Sequence, residues 1–176
     1  MTGRVDMKTL LNPESVKLRV LFEEILYYES SLLSSRELEK WTELLHDDIR
    51  YWVPVRSNRD IGAEDLSQAH LMCHIDDDKN ALMLRAKRVA QGFGYTDKPV
   101  PRTRHSVTNV RVLHSTTQDA TVTSNFSLWW SRDGIPEHTI IGCRNDRWAA
   151  TEDAWLLIDR QVMLDQNVIS GMAGLF

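Results

Sequence analysis

Three sets of residues have the types and spacing that chemistry needs. The first is His70-Leu71-Met72-Cys73-His74, followed by Asp76, Asp77 and Asp78. On a helix, His70 and His74 would share a face at i, i+4, and zinc accepts such ligands. No second motif returns to close a tetrahedral site, because Cys143 is followed by Arg144-Asn145-Asp146. The preferred reading is a half-exposed loop whose Leu71 and Met72 pack down. The second set comprises the acid–base candidates Asp48, Tyr51, His105 and His114, on or beside expected strands. Inside a pocket such groups move protons. Elsewhere they are hydrogen-bonded structural groups, and that reading is favoured because nothing in the spacing pairs them. The third set is basic: Lys79, Arg85, Lys87, Arg88, Lys98, Arg102, Arg104 and Arg111, opposed within the run only by Asp97. Arginine suits planar, bidentate contact with an acidic partner surface. The same run reads equally well as a solvated helix face with ion pairs to Asp76, Asp77 and Asp78.

Other chemistries lack their residues. Two cysteines, Cys73 and Cys143, are too few for a disulfide framework, and neither has the neighbours of an iron–sulfur motif. There is no nucleophile elbow and no phosphate-binding glycine loop. Gly92-Phe93-Gly94 reads as a helix stop. Six tryptophans are many for this length, and Trp129-Trp130 must point to opposite faces of a strand. One is expected in the core and the other under a partner. Arg160 shares a strand side with Ile158 and Val162, so it is expected to be buried and ion-paired.

The elements that position these groups follow from composition and period. A chain of 176 residues with 42% apolar and 26% charged residues suits one soluble domain, 1–176. A formal charge of −4 argues against nucleic acid. No stretch approaches the ~18 apolar residues of a membrane span, and no secretory signal pattern is seen, so a cytoplasmic protein is expected. After a flexible start at about 1–12, Asn12-Pro13 begins a helix with Val16, Val20, Phe22, Ile25, Leu26, Leu32 and Leu33 at helical spacing. A second helix carries Leu38, Trp41, Leu44 and Leu45, and His46-Asp47-Asp48 ends it. A strand is expected over 49–55, then a long loop over about 56–77. Asp76, Asp77 and Asp78 suit the start of a third helix, running to about Gln91. Beyond Pro101 the period becomes two, with strands over 103–116, 120–130, about 137–150 and 155–166. Asp133-Gly134 marks a hairpin. Leu156, Ile158, Val162 and Leu164 are expected on one face of the last strand. Short turns require antiparallel neighbours, so the class is α+β with helices on one face of the sheet.

At this point the chain resembles the small (β) subunits of Rieske-type aromatic-ring-hydroxylating dioxygenases, from about Val16 to Gln166. The motifs that carry this are Glu29 with Leu32-Leu33, Trp41 with Leu44-Leu45, and the block Asp48-Ile49-Arg50-Tyr51-Trp52-Val53-Pro54-Val55-Arg56. They continue with Asp77-Asp78, Leu82, Arg85 and Arg88, then Pro99, Arg102-Thr103-Arg104-His105 and Asn109-Val110. Ser124-Asn125-Phe126, Arg132, Gly142, Arg144, Asp146, Trp155-Leu156, Arg160 and Leu164-Asp165 complete the series. The resemblance implies a cone-shaped fold like nuclear transport factor 2 (cystatin-like), with a curved antiparallel sheet wrapped on N-terminal helices. It implies a non-catalytic structural subunit with no cofactor of its own. The partner would be a larger α subunit carrying a Rieske [2Fe–2S] cluster and a mononuclear iron, in an α3β3 hexamer with β–β contacts. Electrons would come from NAD(P)H through a reductase and often a ferredoxin, and the product would be a cis-dihydrodiol. Arg102, Arg104 and His105, with one of Trp129 and Trp130, are the expected subunit-contact residues. The alternative is a stand-alone isomerase or dehydratase of the same cone fold using Asp48, Tyr51 and His105. A free ligand-binding domain is a third reading without positive support.

Overall fold

The structure, a computed structural model, describes residues 12–55, 73–90, 100–166 and 175. Helix α1 (Pro13–Ser34) begins as its sequence requires. The Asn12 side chain accepts from the Glu14 N–H at 3.0 Å, and Pro13 fills the first turn, where no donor is needed. Phe22, Leu26, Glu29 and Leu33 recur every three or four residues and are all buried. Arg36, in the left-handed region at φ 62°, turns the chain into α2 (Leu38–Thr42), which buries Leu38 and Trp41.

Strand β1 (Leu45–Pro54) starts earlier than expected: His46, Asp47 and Asp48 belong to it rather than to a break. The expected loop over 56–77 is corrected at its end, where Cys73–Asp77 is strand β2, antiparallel to β1. Asp76 and Asp77 therefore lie on a strand and not at a helix start. Only Asp78 caps α3 (Lys79–Ala90), its Oδ1 accepting the Ala81 N–H at 2.8 Å. His70, Leu71, Met72, Gly92, Gly94 and Lys98 lie outside the described residues.

Strands β3 (Arg102–Ser115), β4 (Asp119–Arg132), β5 (Ile135–Ala150) and β6 (Trp155–Leu164) follow. Each pairs antiparallel with the next through a short turn. Gly134, at φ 79°, makes the β4–β5 hairpin. The six strands of the described residues form one sheet in the order β2-β1-β6-β5-β4-β3, with β1 and β6 parallel. Register shifts interrupt every ladder, and Asn109 at φ 55° makes one of them. Such bulges bend strands and strengthen twist. The result is a curved sheet with α1 packed against β3 and α2 against α3.

Strand β4 alternates cleanly, with Ala120, Val122, Ser124, Phe126, Leu128 and Trp130 inward. Strand β6 does not keep the expected phase. Leu157 and Arg160 are both buried while Leu156 and Ile158 are half-exposed, because the β5–β6 register shifts beside Trp148. Phe22, Trp148 and Trp155 meet at 5.3–5.9 Å, and Trp41 meets Tyr51 at 6.4 Å. The core thus lies between α1, α2 and the concave face of the sheet.

Candidate functional site

Among the described residues, four charged side chains sit inside this core, each 0–1% exposed: Glu29, Arg144, Asp146 and Arg160. Glu29 comes from the buried stripe of α1. Arg144 and Asp146 occupy alternate inward positions of β5. Arg160 stands directly opposite Asp146 on β6. The Arg160 guanidinium donates to both Glu29 oxygens at 2.6 and 3.0 Å and to both Asp146 oxygens at 2.8 and 2.7 Å. Trp41 Nε1 donates to Glu29 at 3.0 Å. Arg144 reaches Glu29 through Nη1 at 3.4 Å and lies 5.0 Å over the Phe126 ring.

The electrostatics follow from this geometry. Burial alone would raise the Glu29 pKa, but the Arg160 and Arg144 charges, with the Arg160 and Trp41 hydrogen bonds, pull it down to about 2. Burial likewise disfavours charged Arg160, yet Asp146 and Glu29 outweigh it and raise its pKa. For Arg144, burial and the like charge of Arg160 prevail, and its pKa falls. Two cations and two anions thus share one desolvated space and hold α1 to β5 and β6.

His105 stands apart from this group. Burial pushes its imidazole down to about 4. The Leu175 carbonyl, 3.1 Å away, can only accept, so Nε2 carries the proton. Nδ1 then accepts from the Ser34 hydroxyl at 3.2 Å, while Ser34 Oγ accepts the His105 backbone N–H at 2.9 Å. The ring is neutral and ties β3 to the end of α1.

The acid–base candidates do not converge. Asp48 is exposed on one face of β1 and Tyr51 is fully buried on the other, 5.9 Å under Arg160. His114 is exposed at the end of β3. The trio Asp48, Tyr51 and His105 is therefore not a site. Cys73 on β2 is exposed and Cys143 on β5 half-buried, and no three or more His, Cys, Asp or Glu gather as cation ligands among the described residues.

The five expected contact residues divide by face. Arg102 and Arg104 are exposed on β3, which ends the sheet. Half-buried Trp129 is the register partner of Arg104 and donates to Glu137 at 3.4 Å. His105 points inward, and Trp130 is buried beside Arg132 and His138. Within the basic run Arg85 pairs with Asp77, as the ion-pair reading expects, and Lys79 pairs with Asp47, whereas Lys87, Arg88, Arg102, Arg104 and Arg111 are exposed.

Of the buried group, the Arg160 ion pair follows from sequence phase, although Ile158 does not share its side. The role of Glu29 was missed as a site. Its signal is a carboxylate at a position of α1 where the spacing of Phe22, Leu26 and Leu33 calls for an apolar residue.

Comparison with known proteins matches this frame. The family described as "Ring hydroxylating beta subunit" matches residues 28–171. The benzene 1,2-dioxygenase subunit beta of Pseudomonas putida is 27% identical over 162 residues, 89% of this chain and 87% of that one. A naphthalene 1,2-dioxygenase structure superposes with a TM-score of 0.78 at 18% identity, over 96% of this chain and 91% of that one. A scytalone dehydratase-like protein of Novosphingobium aromaticivorans shares the fold, with a TM-score of 0.62 at 15% identity, over 86% of this chain and 85% of that one. The cone is therefore the nuclear-transport-factor-2-like fold. With a family match running from within α1 past the end of β6, the chain belongs to the β subunits of ring-hydroxylating dioxygenases.

Proposed function

We propose that this chain is the structural β subunit of a multicomponent dioxygenase acting on an aromatic substrate in the cytoplasm. The observation that carries the reading is the family match over 28–171, which includes all four buried charges and every strand. The geometry agrees with a supporting role. Glu29, Asp146 and Arg160 spend their hydrogen bonds on one another, and His105 is held neutral between Ser34 and Leu175. These groups hold shape.

The partner would be a larger α subunit with a Rieske cluster and a mononuclear iron, in an α3β3 hexamer. Electrons would reach it from NAD(P)H through a reductase and a ferredoxin. Such an assembly adds both atoms of O2 to an aromatic ring as a cis-dihydrodiol. This chain contributes surface to it. Val20, Leu21, Tyr27, Tyr28 and Ile141 are large apolar side chains left 41–53% exposed. Arg102, Arg104 and Trp129 add the arginine and aromatic character that interface cores favour. His105 and Trp130 act from behind, by fixing the strands that present these groups.

The test is purification of the tagged chain from its native host, followed by mass determination and an absorption spectrum. The expected result is a roughly equimolar larger chain and a red-brown iron–sulfur spectrum, with the small chain alone colourless. A chain that purifies alone overturns the reading.

A further inference from the structure

Several arginines outside the core meet an acid of their own. Arg50 holds Asp76 at 2.9 and 3.1 Å, Arg85 holds Asp77 at 3.0 and 2.6 Å, and Arg19 pairs with Glu23. Those of β3 do not. The strand carries Arg102, Arg104 and Arg111 and no Asp or Glu. Its partners on β4 supply none: Arg104 stands opposite Trp129 and Arg111 opposite Thr123. Among the described residues nothing hydrogen-bonds or ion-pairs with any of these three side chains.

Arg104 differs from the other two in its surroundings. It lines a cleft of about 600 Å³ between α1 and β3. Tyr27 and Ser31 stand on the α1 wall, Arg104 and Ser106 on the β3 wall, and all four are exposed, so the cleft opens to the outside. Half-buried Ser34 and His105 tie the walls together through hydrogen bonds of 3.2 and 2.9 Å. Burial keeps the His105 ring neutral, which leaves Arg104 as the one charged side chain among the described residues of the lining. The acids that flank Ser31 and Ser34 in sequence are spent elsewhere, Glu29 on Arg160 and Glu37 on Lys40. A recess that carries one sign of charge concentrates the field and draws the opposite charge. The cleft also sits among apolar groups. Tyr28, Leu21 and Val20 continue from Tyr27 along α1, 41–53% exposed, and Trp129 lies beside Arg104. A free anion covers none of these. A protein surface covers them all, and a charged socket inside such a rim loses its water once the rim is covered.

We propose that the α1–β3 cleft receives the carboxylate of an Asp or Glu side chain on a loop of the larger subunit, with Arg104 as its counter-ion. The proposal rests on the subunit reading and adds the chemistry of the contact to it. A guanidinium donates two parallel hydrogen bonds to a carboxylate, as Arg50 does to Asp76. The Tyr27 and Ser106 hydroxyls, without partners among the described residues, stand on opposite walls of the same recess. Covering the rim takes the ion pair out of water, so it is stronger than an exposed pair.

The test compares tagged full-length variants expressed in the native host. It reads the larger chain retained per tagged chain in washes of rising salt, and the thermal midpoint and mass of each variant alone. Arg104→Gln is expected to retain at least about tenfold less of the larger chain. Arg104→Lys keeps the charge without the two-pronged edge and recovers part of the loss. Arg111→Gln removes the same charge from the same strand outside the cleft, and lowers retention no more than about twofold. Ser31→Trp and Ser106→Trp fill the cleft from either wall without changing its charge, and each lowers retention at least about tenfold. Their midpoints stay near that of the wild type, because both positions are exposed. Equal losses in Arg104→Gln and Arg111→Gln, with the tryptophan variants unaffected, overturn the proposal, since a diffuse basic face then suffices. So does a loss of self-association in the variants with the larger chain retained, which assigns the cleft to a second copy. If a tryptophan variant does not fold, Arg104→Gln against Arg111→Gln decides. A wild-type chain that brings no larger chain overturns the subunit reading and this proposal with it. Full retention by the wild type and by every cleft variant overturns this proposal alone.

Discussion

A glutamate at a buried position of a helix is tolerated only if its charge is met from several sides. Glu29 is met by Arg160 through two hydrogen bonds, by Trp41 and by Arg144. Removing one member strands the others without water. Arg160→Met, which keeps much of the volume, therefore lowers unfolding free energy by about 3–5 kcal/mol in urea titrations. A loss under about 1 kcal/mol would show that the charges are idle. The same residues set the acid limit. Glu29 titrates near 2 in the folded chain against an ordinary 4.5, so its contribution is complete above pH 4.5 and fades as pH falls toward 2. His105 acts earlier. Its folded value is about 4 against an ordinary 6.5, so below pH 6.5 the unfolded chain takes up a proton that the folded chain refuses. Stability then declines from pH 6.5 to about 4, by about 3 kcal/mol at most. His105→Gln flattens that segment of a stability–pH curve while leaving the Glu29 fall below it. An unchanged slope would mean that the imidazole is solvated.

At the scale of elements, one close approach governs the β5–β6 pair. A Cβ at position 142 would stand 2.2 Å from the Met163 carbonyl oxygen and 3.0 Å from the Phe126 ring. Backbone cannot yield as a side chain does, so Gly142→Ala must part the ladder that carries Arg144, Asp146 and Arg160. The expected cost is about 1–3 kcal/mol, read as a lower urea midpoint, with faster amide exchange along β5 and β6. Unaltered exchange there would refute the account. Helix α1 and strand β4 were legible because period and capping are local: Asn12-Pro13 and the alternation of 120–130 sit within one element. Strand β2 was not. Cys73–Asp77 is a mostly solvated edge whose only buried residue is Ile75, so no apolar alternation marks it. The phase of β6 was lost to a bulge, which one strand's own residues do not announce. The Arg160 pairing could be read from its inward position. Its partner Glu29 could not, since 131 residues separate them and only the packed fold joins them.

For the whole molecule, the same argument separates residues that hold the cone from residues that face outward. Trp130 is 6% exposed and stacks near Arg132 and His138, so Trp130→Ala removes buried aromatic area and lowers the thermal midpoint by several degrees. Arg104 and Trp129 lie side by side on the outer surface at the β3 end of the sheet, and neither belongs to the core. Arg104→Glu with Trp129→Ala should therefore lower the midpoint of the isolated chain by less than Trp130→Ala does, because Arg104 is exposed and Trp129 only half-buried. The same pair reverses a charge and deletes an aromatic where a partner surface would meet both. Copurification of a larger chain should fall at least tenfold, with association weakening further as salt is lowered, since like charges then repel through less screening. Retained copurification in the double variant would show that the contact surface does not depend on Arg104 and Trp129. A collapse of the midpoint would instead place Trp129 among the residues that hold the fold.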